Sequence, residues 1–346
     1  MARKRSLTTR NLFASLAALA VGLVLVAGAG ARAGTRAASK PISIAVLLNS
    51  SANTYYQANL AGAEAAAKKY GGDVTKVFSA NFDAATQAAQ IQDAITAKAY
   101  QVFLIAPTAS NVIVPQVTQA VKAGIKVACM LSPCGSNPNG MARQIPGLTT
   151  FVGYSMSENG ADIAEAVVEA CAKLDPCNVV YEPGDNTLPA EVVRTGSFNA
   201  YLKSHPSIKV LAEQQGQYLA GPGRTAMQNM LEAHPDINVA ASSGDQMTAG
   251  MAQAVKAAGD SGKIKLIGNG ASVPGVAAVK DGQWFATIAN VPWTEGYIAA
   301  EYAIEAAQGT PLAKIPGFVD DLKDTGVGTA IITEATAGKF KAQWAG

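Results

Sequence analysis

Asn53, Tyr55 and Tyr56 stand together between an apolar run, Ile42 to Leu48 (ISIAVLL), and an alanine-rich segment that reaches Tyr70. The run reads as a strand buried on both faces and the segment as a helix, so the two rings fall on a strand-to-helix turn. In an α/β protein such turns expose the working residues. Two adjacent rings there form either a lid on the core or a platform for a bound molecule.

Covalent and metal chemistry find less support. The two histidines, His205 and His234, occur in SHPSI and AHPDI, each ending a helical segment and opening a strand. Histidine near a helix C-terminus suits the dipole, and proline stops the helix. Both lie on the strand-entry side, opposite the edge where ligands gather, so a Ser-His-Asp triad, a papain-like pair or an H-E-x-x-H zinc site lacks a placed imidazole. The stretch Gly268 to Val273 (GNGASV) follows a strand as a dinucleotide loop would, but it lacks the third glycine, and no clear helix with a downstream ribose acid follows. No phosphate-binding G-x-x-x-x-G-K-[ST] is present. The expectation is a protein that is not an enzyme and carries no cofactor.

The four cysteines form two close pairs, Cys129 with Cys134 and Cys171 with Cys177. Three pairings are open to four cysteines, and the local one is expected; four buried thiols are the alternative. Neither pair has the C-x-x-C spacing of a zinc site. Disulfides require an oxidising compartment, and the N-terminus agrees. MARKRSLTTR is a basic n-region, Leu12 to Val26 is an apolar run, and Ala31-Arg32-Ala33 offers a small-residue cleavage site. This is the pattern of a secretory signal peptide over residues 1–33, so export to the periplasm or the outer face of the membrane is expected. No cysteine near the cleavage site suggests a lipid anchor.

The elements that must position the aromatic pair follow a regular rhythm. From Lys40 onward strands and helices alternate: Val74 to Phe78, Thr86 to Ala97, Val102 to Ile105, Val112 to Ala123, Val127 to Leu131. A second series opens at Phe151 to Gly153 and runs through Gly160 to Lys173, Val179 to Glu182, Glu191 to Ser204, Ile208 to Gln214, Thr225 to Ala233, Val239 to Ser242, Thr248 to Ala258 and Ile264 to Gly268. Phe285 to Ala289 and Thr294 to Gln308 close it, with a strand near Phe318 and a terminal helix around Ala335 to Ala345. Apolar runs joined by helical crossovers imply parallel sheets covered on both faces. With 346 residues, the fold class is α/β, two Rossmann-like lobes joined by a multi-strand hinge. Residues 41–152 plus 291–317 form the first lobe and 153–290 plus 318–346 the second, with crossings near Gly153, Asn290 and Phe318. A formal net charge of +2 gives no basic stripe, so no nucleic-acid partner is expected.

Right-handed crossovers put every strand-to-helix loop on one edge. Those loops gather Asn53, Tyr55, Tyr56, Ser132, Arg194, Tyr218, Asp245, Asn269, Asn290 and Trp293. Amides, one arginine and aromatic rings suit a small polar molecule, rings on its apolar faces and amides on its hydroxyls.

Five stretches, ANTYYQANLAGAE (Ala52 to Glu64), FLIAPTASN (Phe103 to Asn111), VVRTGSF (Val192 to Phe198), AMQNMLEAHPDI (Ala226 to Ile237) and GQWFATIANVP (Gly282 to Pro292), in this order, resemble the type I periplasmic binding proteins of ribose and other sugar ABC importers. The resemblance spans the whole mature chain. LacI-type repressors share that fold but begin with a DNA-binding headpiece, where this chain has an export signal. The resemblance implies sugar contacts at Asn53, Tyr55, Tyr56, Arg194, Tyr218 and Asn290, with the two tyrosines standing where two phenylalanines usually sit. It also shows departures. Leu131 and Ser132 replace an Asp-Arg pair, Gly244 replaces an asparagine and Gly270 an aspartate. Losing these grips removes charge-assisted hydrogen bonds, and the glycines leave volume. The expectation is therefore a monomeric solute-binding protein that delivers a sugar-like or polyol ligand, bulkier or less hydroxylated than ribose, to a membrane permease. A ligand-presenting receptor for chemotaxis or a sensor kinase, and an exported enzyme on the same scaffold, are the alternatives.

Overall fold

The computed structural model describes residues 40–323 and 325–346; the expected signal peptide lies outside the described residues. The strands are β1 Ile42–Leu48, β2 Gly72–Ser79, β3 Val102–Ile105, β4 Lys126–Leu131, β5 Thr150–Gly153, β6 Cys177–Glu182, β7 Ile208–Glu213, β8 Val239–Ser242, β9 Lys265–Gly270, β10 Ala286–Ala289, β11 Phe318–Asp320 and β12 Ile331–Thr333. The helices are α1 Thr54–Tyr70, α2 Ala84–Ala97, α3 Val114–Lys122, α4 Met156–Cys171, α5 Pro189–Leu202, α6 Ala220–Ala233, α7 Asp245–Ala258, α8 Val273–Lys280, α9 Pro292–Ala307 and α10 Glu334–Ala337.

The strands make two six-stranded sheets of matching order, β11-β5-β4-β3-β1-β2 and β12-β10-β9-β8-β6-β7. Pairing is parallel except where β12 meets β10. The fully apolar strands expected on both faces are there: Val102 to Ile105 and Val127 to Met130 are completely buried. Each sheet reverses its strand order beside its first strand, at β1/β3 and at β6/β8, and crevices for ligands open at such switch points.

Two differences from the sequence reading concern where the chain changes sheets. Residues Phe151 to Gly153, expected to open the second series, pair with β4 in the first sheet, Cys129 opposite Phe151. Phe318 to Asp320, placed in the second lobe, extends the same sheet beside β5. The reason is packing: the Phe151 and Phe318 rings lie 5.4 Å apart, and Phe151 completes the core of Phe103, Ile105 and Val127. The third crossing therefore comes after Asp320. The second crossing follows Asn290, since α9 buries Ala299, Ala300 and Ile304 against Ile44 and Val46 of β1.

Two helices also differ. A helix does follow the glycine stretch that ends β9: α8, capped by the Ser272 side chain, which accepts from Gly275 N–H. The terminal helix is only one turn, α10, and the chain beyond Gly338 is a tail without helix or strand. Both cysteine pairs are bonded locally, Cys129 to Cys134 and Cys171 to Cys177.

Helices α1 and α9 approach through two glycines. A Cβ on Gly62 would lie 1.9 Å from the Trp293 carbonyl oxygen, and one on Gly296 would lie 2.0 Å from that of Asn59. No larger residue fits either contact.

Candidate functional site

The cleft is built from the loops at the two switch points. After β1 the chain reaches Asn49, whose Nδ2 donates to Tyr56 Oη (2.6 Å) and to Pro107 O after β3 (3.3 Å). Thr108 donates its hydroxyl to Asn49 Oδ1. Asn53 ends the loop in extended backbone and caps α1, its side chain accepting from Tyr55 N–H at 2.9 Å. That cap starts the helix one residue before the rings and so fixes their direction. Tyr55 and Tyr56 sit edge to face, centroids 5.6 Å apart.

On the opposing lobe Arg194 is 5 % exposed and fully framed. Its Nε donates to Asn159 Oδ1 (2.7 Å), and its Nη1 donates to Glu191 Oε2 (2.5 Å) and Tyr218 Oη (3.2 Å). Tyr218 donates to the same Glu191 oxygen, and Ser243 Oγ donates to the other at 2.6 Å. Burial by itself lowers the Arg194 pKa, but the Glu191 carboxylate together with the Tyr218, Tyr154 and Tyr181 hydroxyls around it more than reverses that, and the guanidinium stays charged. Only Nη2, near the Met156 thioether at 3.1 Å, keeps a strong donor free for a guest. Burial raises the pKa of the Tyr55 and Tyr218 hydroxyls well above the usual value, and that of Tyr56 to about 12, the last opposed by the bond from Asn49. The rings face the cleft neutral.

At the hinge, Asn269 Nδ2 donates to Asn159 Oδ1 (3.1 Å) and to Ser243 O (3.0 Å). Asn290 Nδ2 reaches Asn269 Oδ1 only at 3.5 Å, and Asn290 Oδ1 is buried with no partner. A buried acceptor left open is costly unless something fills it.

These groups enclose one cavity between the lobes. Asn53, Tyr55, Tyr56, Ser132, Arg194, Tyr218, Asn269 and Asn290 all line it, eight of the ten residues expected from sequence. The other two do not. Asp245 is 1 % exposed and turns into the second lobe. It accepts there from Ser272 N–H (2.7 Å), Ser272 Oγ (2.6 Å) and Thr287 Oγ1 (2.7 Å). Trp293 lies on the outside of α9, stacked on Tyr297 with centroids 5.1 Å apart.

Sequence reasoning missed Phe82 and Trp344, both on the cavity wall. Phe82 follows β2 in left-handed backbone (φ 62°), a conformation rare for a bulky residue and unmarked in sequence. Trp344 comes from the terminal tail, which carries no motif. The expectation that Gly270 leaves volume is overturned by it: a Cβ on Gly270 would lie 2.4 Å from the indole Cζ2. The space above Gly244 is bordered by Gln246 and Tyr218. The cavity volume is about 80 Å³. A space of this size holds a small guest.

Comparison with known proteins agrees with this geometry. The chain is similar to the ribose import binding protein of Salmonella typhimurium (strain LT2), 27 % identical over 277 residues covering 79 % of this chain and 88 % of that protein. It is similar to the xylitol-binding protein of Mycolicibacterium smegmatis, 25 % identical over 262 residues covering 74 % and 71 %. Among solved structures, an ABC transporter solute-binding protein from Mycobacterium smegmatis with bound glycerol superposes with a TM-score of 0.73 at 26 % identity, covering 88 % of this chain and 99 % of that one. The family model described as "periplasmic binding protein domain" matches residues 44–311, the span that holds both switch points and most of the cavity wall. This chain belongs to the periplasmic binding protein domain family.

Proposed function

We propose that this protein is the extracytoplasmic solute-binding component of an ABC importer, closing around one small uncharged polyol or sugar and delivering it to a membrane permease. The observation that carries the reading is the charge state of the cleft. Arg194 is neutralised within the wall by Glu191 at 2.5 Å, so a charged guest would add a charge that nothing balances, in a site removed from water. What remains for a guest is one face of the guanidinium, the open Asn290 oxygen and aromatic surface. That set matches hydroxyl groups on a small carbon skeleton.

The cavity size favours a short polyol or a single small ring over the bulkier ligand expected from the missing grips. Binding without turnover is supported by the position of both histidines. His205 stacks on Tyr201 with centroids 5.5 Å apart, beyond the end of α5, and His234 is the C-cap of α6. Glu191, the carboxylate behind the Arg194 and Tyr218 wall, is engaged by Arg194, Tyr218 and Ser243. Closure follows from differential affinity, since a guest that touches both lobes favours the form in which they meet.

Mass spectrometry of small molecules released from the purified mature chain on denaturation tests the reading. One uncharged polyhydroxylated molecule per chain is expected. An acidic or cationic metabolite would contradict it.

A further inference from the structure

The terminal tail returns to the cleft and contacts both lobes. Phe340 is buried in the second lobe's core with Ala271 and Val276. Gln343 then meets the first residues of α9, accepting from Thr294 N–H (3.0 Å) and donating to Thr294 Oγ1 (2.8 Å). Gly346 O accepts from Thr54 Oγ1 of α1 at 2.9 Å. Between these anchors Trp344 is 4 % exposed and meets Tyr55 in a T-shaped contact, centroids 5.6 Å apart at 71°.

The indole is fixed by its polar atoms. Its Nε1–H donates to Gly270 O at 2.6 Å, and its backbone carbonyl accepts from Val273 N–H at 2.9 Å. Gly270 has φ +130°, which side chains rarely adopt, and its missing Cβ is what admits the ring. With the ring's single donor engaged, Trp344 can offer a guest only carbon surface.

Resting on the proposed ligand class, we propose that Trp344 is a specificity-determining residue: its indole closes the Gly270 side of the cleft and selects a guest that presents C–H groups there, excluding one with a hydroxyl or hydroxymethyl at that place. A hydroxyl against the ring finds no partner and loses its water. A flat C–H face keeps contact with the π surface.

The test is calorimetry with a panel of linear polyols, inositols, pentoses, hexoses and their deoxy analogues on the mature chain, Trp344→Ala and Trp344→Phe. Wild type should bind at least one member. Trp344→Ala should weaken that member by about tenfold or more, and should admit a more substituted analogue that wild type rejects; pocket discrimination of this kind runs from about 10- to 200-fold. Trp344→Phe should keep the wild-type rank order. If Trp344→Phe and Trp344→Ala lower every affinity by a common factor, or leave all unchanged, Trp344 does not set specificity, although the ligand class stands. If wild type binds no panel member, the ligand class fails and this assignment falls with it.

Discussion

The ring of Phe82 stacks on that of Tyr218 across the mouth of the cleft, centroids 6.3 Å apart and planes 14° from parallel. One ring comes from the loop after β2 and the other from the loop after β7. Both residues have left-handed backbone, as do their predecessors Asn81 and Gln217. Strain of this kind persists where the surroundings fix it, and it clusters at ligand clamps. Gly184 makes room for the pair, since a Cβ there would lie 2.1 Å from the Tyr218 ring. A stacked aromatic pair contributes about 0.5–1.5 kcal/mol beyond its area. Phe82→Ala should therefore speed ligand release by up to about tenfold with little change in the association rate. Stopped-flow fluorescence separates the two rates; an unchanged release rate means the stack does not hold the cleft shut.

Arg194 and Glu191 form a buried pair, and removing one member strands the other. Arg194→Ala should cost about 3–5 kcal/mol of stability and weaken the ligand by about tenfold or more. Arg194→Met with Glu191→Gln removes both charges and should restore much of the stability without restoring affinity. Denaturant unfolding and calorimetry on the same samples check this. Recovery of affinity in the double variant would show that the arginine only supports the wall.

Glu182 ends β6 with both carboxylate oxygens buried and unpartnered. Burial pushes its pKa up to about 9 from 4.5, so the folded protein holds a proton that the unfolded chain releases above pH 4.5. Stability from this group is fully present below pH 4.5 and is lost as pH rises towards 9. The slope is at most about 1.4 kcal/mol per pH unit, the limit for one proton. Glu182→Gln should remove that part of the slope and be the more stable protein at pH 8. Urea midpoints from pH 5 to 9 decide it; parallel curves for the two proteins would contradict the assignment.

Gly296→Ala places a methyl group against the Asn59 carbonyl and must push α9 from α1. Overpacking costs about 1–3 kcal/mol. Because Tyr55 Oη donates to Glu295 Oε2 at 3.3 Å, the shift should reach the cleft, and thermal melting with and without ligand should show both a lower midpoint and weaker binding. A variant as stable as wild type would mean that the helices separate freely.

Much of this was legible in the sequence because the signals were local. Periodic apolar runs mark the strands, and the Asn53 cap with Tyr55 and Tyr56 behind it marks a strand-to-helix turn. What escaped depends on distant contacts. Strand Thr150–Gly153 looks the same whichever sheet it joins, and the packing of Phe151 against Phe103, Ile105, Val127 and Phe318 places it. Asp245 has the type and loop position of a ligand group, yet the hydroxyls of Ser272 and Thr287 turn it inward. Trp293 and Trp344 are alike in sequence. One stacks outside on Tyr297 and the other fills the space of a missing side chain at Gly270, a pairing 74 residues apart.

The central claim is that the cleft takes a small uncharged polyol or sugar. Isothermal titration calorimetry of the ligand-free mature chain, with matched uncharged and charged members of one skeleton such as a polyol, its carboxylic acid and its amine, tests it most directly. The account predicts one-to-one binding of an uncharged member, with its acid and amine weaker by about a hundredfold or more, since an unpaired buried charge costs several kcal/mol. Tighter binding of the acid or the amine than of the uncharged member would contradict it.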